Sequence, residues 1–186
     1  MSKLITHFNG TVRAAPFFIN FMSILIGFFF RQPVGIFFGL YSYVTDIGNH
    51  FLKLFFKNII YSNNDPLPLL GYGKRPKGAK YCGIFIDEYN IKGLSTSFGM
   101  PSGHSHFATM TGVFWIMYML QNYPKNLYNN IIISIIAVMS ITIMISRYYL
   151  GCHTIQQILF GGLIGLFTGY YGYKLYIFLS KYIKNY

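Results

Sequence analysis

Phe98-Gly-Met-Pro-Ser-Gly-His-Ser-His106 sets polar, turn-capable residues at the head of an apolar run, and the reading of the chain works outward from that junction. A second polar stretch, Ser146-Arg-Tyr-Tyr-Leu-Gly-Cys-His-Thr-Ile-Gln-Gln157, joins the next two apolar runs. About two membrane-spanning lengths of helix, out and back, separate the two stretches. His104 and His153 therefore return to one membrane face, where a shared site can form.

Of the 186 residues, 53% are hydrophobic and 10% charged, too apolar a balance for an ordinary soluble domain. The 19 Phe and 17 Tyr spread through the apolar runs instead of marking short strands. The expectation is one all-α domain over residues 1–186, a polytopic membrane helical bundle of about five spans with the lipid bilayer as its solvent. A formal charge of +11 raises the question of nucleic acid, but Lys and Arg gather in the breaks between apolar segments, without a basic stripe or a reader motif. Anionic headgroups and phosphate are the expected partners instead. Cys82 and Cys152 make no disulfide framework and no CxxC pair, so the redox compartment stays open. Lys3 and Arg13 precede the first apolar run with no small-residue cleavage pattern after it, which reads as an uncleaved first span.

After a polar lead over residues 1–11, Ala14 to Phe30 is free of charge, and Arg31-Gln-Pro33 then turns the chain. The second span runs from Val34 to about Leu54. It carries Asp46, His50, Lys53 and then Lys57 on related helix faces, and Asp46 should face the bundle or water. Residues 61–97 form the long polar loop between spans two and three, with Pro66, Pro68 and Pro76 and a short interfacial helix expected around Gly83 to Asn90. Gly71-Tyr-Gly-Lys-Arg-Pro76 lacks the full phosphate-loop pattern and an α/β setting. The third span starts near Ser102, with Pro101 in its first turn and Ser102 as the cap. The fourth runs from Leu127 to Ile145. In the fifth, Thr154 to Leu179, Gly161, Gly165 and Gly169 recur every four residues as a ridge for close helix contact, within the chain or across a homodimer.

His104 and His153 stand at the N-terminal ends of the third and fifth spans, where free amides and the helix dipole favour an anion. Arg75 and Arg147 supply planar donor forks, and Lys53 a mobile cation, for phosphate oxygens. This outlines phosphoryl transfer. One imidazole attacks phosphorus and forms a phosphohistidine, the other protonates the leaving group, and water resolves the intermediate. The arrangement calls for no metal or other cofactor: His104 and His106 are two apart on a helix and diverge, and HExxH is missing. His106 reads as a structural or supporting group.

Lys53 with Arg75-Pro76, Pro101-Ser102-Gly103-His104, and Ser146-Arg147 followed after five residues by His153 resemble the three-part signature of the type 2 phosphatidic-acid phosphatase superfamily, over approximately residues 34–175. The resemblance implies a membrane bundle that dephosphorylates lipid phosphates or diphosphates, isoprenoid or glycerolipid, without metal. His153 becomes the nucleophile and His104 the general acid. Lys53, Arg75, Ser102, Gly103 and Arg147 become phosphate ligands, with Gly103 contributing its backbone amide. Two positions depart from the signature. The usual first-block lysine position is Pro68 here, so Lys53 takes the role across an insertion, with Lys57 or Lys74 as substitutes. The usual Asp four residues after the nucleophile is Gln157, a neutral amide that still fixes the tautomer of His153. The dolichyl diphosphatase branch resembles this chain in having Gln there, which implies dolichyl diphosphate as substrate and a site facing the endoplasmic-reticulum lumen. The alternatives are a broad lipid-phosphate phosphatase acting on phosphatidic acid and a catalytically silent headgroup-binding protein.

Overall fold

The computed structural model describes residues 3–63, 65–80, 82, 83, 95 and 97–183. Among these the chain forms five α-helices: α1 (Lys3–Phe29), α2 (Pro33–Phe55), α3 (Gly103–Asn122), α4 (Leu127–Tyr149) and α5 (Ile155–Ile183). A π-helical turn, Phe56–Ile60, extends α2. The shortest helix, α3, has 20 residues and so reaches about 30 Å, the thickness of a bilayer's hydrocarbon core. Thr11–Phe29 and Leu127–Tyr149 are apolar enough to span by composition alone, with mean hydropathy 1.7 and 2.0. Large apolar side chains stay exposed along the helices, among them Val44, Ile47 and Phe51 on α2, Ile135 and Val138 on α4, and Leu163 and Phe167 on α5. Such a band is what lipid would cover.

The turn between α1 and α2 falls where Arg31-Gln-Pro33 places it, with Pro33 opening α2. Helix α1 begins earlier than the sequence suggests, at Lys3 instead of after a polar lead. Val12, just past that lead, is buried against Ala108 of α3 and Ile143 of α4, which docks this part of α1 on the bundle. Ser102 caps α3 by accepting from the Ser105 amide, which puts Pro101 ahead of the helix instead of inside its first turn. The interfacial helix expected around Gly83 to Asn90 lies, beyond Gly83, outside the described residues.

Helices α3 and α5 form the closest pair. A Cβ at Gly161 would meet the Ser102 backbone, one at Gly165 the His106 carbonyl, and one at Gly169 the Met110 carbonyl. The glycine ridge is therefore consumed inside the chain, which corrects its reading as a homodimer face. His106 adds a polar tie between the same helices, with Nε2 3.0 Å from Thr168 Oγ1. Thr168 already donates to the Ile164 carbonyl, so His106 is the donor. Phe38, Phe107, Met110, Phe114 and Tyr173 fill the space between α2, α3 and α5. In lipid that fit acts through dispersion, since leaving water supplies no drive there. The packing brings the middle turns of α1, the end of α2, the start of α3, the end of α4 and the start of α5 to one face.

Candidate active site

A cavity of about 270 Å³ opens on that face, and Lys53, Arg75, Gly103, His104 and His153 all line it. The two imidazoles, one from each polar stretch, thus share a wall. Lys53 reaches it from the last turns of α2, while Lys57 and Lys74 are exposed and are not among the lining residues.

His153 lies in the turn before α5 and is 2% exposed. Its Nδ1 is 3.0 Å from Gln157 Oε1, one helical turn on. The amide oxygen only accepts, so Nδ1 carries the proton and the Nε2 lone pair is left for chemistry. The other end of Gln157 is equally committed. Its Nε2 donates to the carbonyls of Tyr72 at 2.9 Å, Gly73 at 3.3 Å and Lys74 at 2.8 Å. Gln157 therefore pins the strand of loop just before Arg75 to the turn that bears His153, a task a carboxylate, having no donor, could not perform. Gly99 is glycine for the same reason, since a Cβ there would stand 2.7 Å from the Gln157 amide.

Arg75 closes the arrangement. Its Nε and Nη2 bind Ser97, while Nη1 donates to the Cys152 carbonyl at 2.9 Å and lies 2.8 Å from His153 Nε2. The guanidinium thus caps the free lone pair of His153. Burial first, then the positive charges of Arg75 and Lys53, push the His153 imidazole well below its ordinary value, to about 2, against the opposing hydrogen bond from Gln157. The ring is neutral and unprotonated at Nε2, the state a nucleophile needs. Cys82 and Cys152 form a disulfide with Cα atoms 5.5 Å apart, so the two cysteines, though no framework, clip the loop to the residue beside His153.

His104 is held differently. Its Nε2 is 3.0 Å from the Arg13 carbonyl of α1, so Nε2 donates and Nδ1 of the neutral ring keeps a lone pair, the nitrogen that can take up a proton and pass it on. Helix α1 also gives Pro16, Phe17 and Asn20 to the cavity wall. Arg147 and Ser102 stand behind the wall, fully buried. Ser102 Oγ accepts from Ser105 Oγ at 2.9 Å and from the Ser105 amide, so its position is that of a cap. Both terminal nitrogens of Arg147 are buried without a hydrogen-bond partner among the described residues. A buried guanidinium left so is costly unless an anion answers it.

The sequence reading passed over Ser97, the Arg13 carbonyl, and Asn49 on the cavity wall. Asn49 had a signal, standing four residues before Lys53 on the same helix face. The other two had none, because a loop serine and a main-chain oxygen leave no pattern.

The PAP2 superfamily model matches residues 36–180 of this chain. A crystal structure described as the first transmembrane PAP2 type phosphatidylglycerolphosphate phosphatase, from Bacillus subtilis, is similar over 94% of this chain and 87% of its own. Its TM-score is 0.51 and its identity 18%, a likeness of fold. No curated protein matches the chain in sequence.

Proposed function

The chain belongs to the PAP2 superfamily and is a membrane lipid phosphatase, and we propose that its substrate is a polyprenyl diphosphate, dolichyl diphosphate foremost, cleaved to the monophosphate and inorganic phosphate. The observation that carries this reading is the shared wall: two imidazoles from separate helix starts, with Lys53 and Arg75 between them and Arg147 unanswered behind.

In the proposed reaction the terminal phosphoryl group displaces the Arg75 guanidinium from His153 and takes up its hydrogen bonds. His153 Nε2 bonds to phosphorus as the bridging P–O bond breaks, and His104, which has taken a proton at Nδ1 from the bound phosphate monoanion, passes it to the departing oxygen. Water, deprotonated by His104, then breaks the P–N bond and releases phosphate. Most of the rate gain comes from fixed donors around the equatorial oxygens: Lys53, Arg75, Arg147 and the first amides of α3. Two features support the finer choice of substrate and side. Gln157 stands where the dolichyl diphosphatase branch has the same residue. The Cys82–Cys152 bridge suits an oxidising compartment, so the site faces the endoplasmic-reticulum lumen.

A second reading, a glycerolipid phosphate monoester, draws on Asp46. Its carboxylate lies on the same cavity wall, where it would repel a second phosphate and accept from a headgroup hydroxyl. Purified protein in detergent with excess chelator, given dolichyl diphosphate, phosphatidic acid and phosphatidylglycerol phosphate side by side, decides between them. The expected result is fastest phosphate release from the diphosphate and none from His153→Ala. Preference for a monoester selects the second reading, and release by H153A removes the mechanism.

A further inference from the structure

We propose that Asn49 is a further phosphate ligand of this site, its carboxamide N–H donating to a non-bridging oxygen of the bound phosphoryl group. The inference rests on the lipid-phosphatase reading and adds a residue to it. Asn49 is 3% exposed and lines the cavity that holds both imidazoles. It precedes Lys53 by four residues on α2, so the two side chains sit one above the other on one helix face. Both converge on the start of α3: a Cβ built on Gly103 would stand 3.4 Å from Asn49 Oδ1 and 3.9 Å from Lys53 Nζ. Gly103 has no Cβ, which leaves that space open beside amides that have no acceptor within their own helix.

The amide's other end makes the case. Asn49 Nδ2 is buried with no hydrogen-bond partner among the described residues. Buried amides are almost always paired, and an unpaired one destabilises the protein that carries it. Asp46, the acid on the same wall, does not accept from it. A half-turn about χ2 exchanges the two ends and brings the –NH2 over the Gly103 Cα, beside the Lys53 ammonium. An anion seated there supplies the acceptor that the described residues do not offer. Asn49 then works with Lys53 from the α2 side, opposite Arg75.

The test separates binding from packing through Asn49→Leu, which keeps the branching and heavy-atom count of the side chain and removes the unpartnered donor. Thermal unfolding in detergent should show N49L at least as stable as wild type. Its kcat/KM for the best lipid substrate should fall about ten- to hundredfold, the usual worth of a hydrogen bond to a charged group. Its inhibition by orthovanadate should weaken to match. Asn49→Ser, which cannot clash, must show the same loss. Unchanged vanadate inhibition and kcat/KM within twofold in both variants overturns the proposal, as does a large loss of stability in both, which would make Asn49 a packing residue. Should wild type hydrolyse no lipid phosphate, the parent reading fails by itself, and orthovanadate titration calorimetry on the same three proteins still decides the role of Asn49.

Discussion

His153 comes just before α5 and His104 opens α3, yet the first is oriented by a side chain one turn on, Gln157, and the second by a main-chain carbonyl 91 residues earlier, that of Arg13. Both rings line the same cavity, and each is left with one nitrogen for chemistry. The difference lies in what can disturb them. Gln157 couples His153, the proposed nucleophile, to the loop that bears Arg75, so a single substitution can loosen both. His104, the proposed general acid, answers to the placement of α1, through Val12 packed on Ala108 and Ile143, and no side-chain change at Arg13 removes the carbonyl it uses.

The largest effect should separate the two rings by role. His153→Asn is expected to lower phosphate release by about 10⁴-fold or below detection on every substrate, since no other group forms the covalent bond. His104→Asn should cost about 10²- to 10⁴-fold with a lipid monoester, whose alkoxide needs a proton. With an aryl phosphate, whose leaving group departs unaided, the loss at His104 should shrink while the loss at His153 stays complete. Equal dependence on the leaving group in both variants, measured as kcat/KM, would break the assignment of nucleophile and acid.

A smaller effect sharpens the comparison at Gln157. By analogy with the carboxylate usual at this place, Gln157→Glu should help the developing imidazolium. The geometry says the opposite. One oxygen of Glu could still accept from His153, but the other would face the carbonyls of Tyr72, Gly73 and Lys74, acceptor against acceptor. We expect kcat/KM to drop about 10- to 100-fold, as changes to groups that orient a functional histidine do. Activity at or above wild type would show that the loop carbonyls do not hold the amide.

Much of this was legible in the sequence, and the reason is physical. A bilayer forces long uncharged helices, so five were readable from the charge breaks, and the two histidines fell on one face by counting spans. Arg75, Gly103, His104 and His153 could be named because local motifs carry them, and Lys53 only by reaching across an insertion, since Pro68 stands at the motif's lysine position. The illegible parts depend on distant contacts. Nothing in residues 1–13 announces a helix from Lys3 or a carbonyl for His104, the second of which follows from how α1 docks on α3 and α4. The pairing of Cys82 with Cys152 spans 70 residues and has no local pattern. The ridge of Gly161, Gly165 and Gly169 was visible, but its partner could be chosen only once α3 was seen to lie against it.

The smallest effect tests whether the nucleophile is neutral at rest. The imidazole of His153 is held at about 2 in the folded protein, by burial and by Arg75, against 6.5 for an unperturbed ring. Between those values the unfolded chain binds a proton that the folded one refuses. Stability from this residue is therefore whole above about pH 6.5 and erodes as pH falls below it, by up to about 1.4 kcal/mol per pH unit. His153→Asn has no proton to take up, so its thermal midpoint in detergent should decline less steeply than wild type between pH 7 and pH 5. Parallel declines would mean that the folded ring takes up its proton over the same pH range as the unfolded one, and a shallower decline in wild type that it is already charged when folded; either outcome would overturn a nucleophile held neutral at rest.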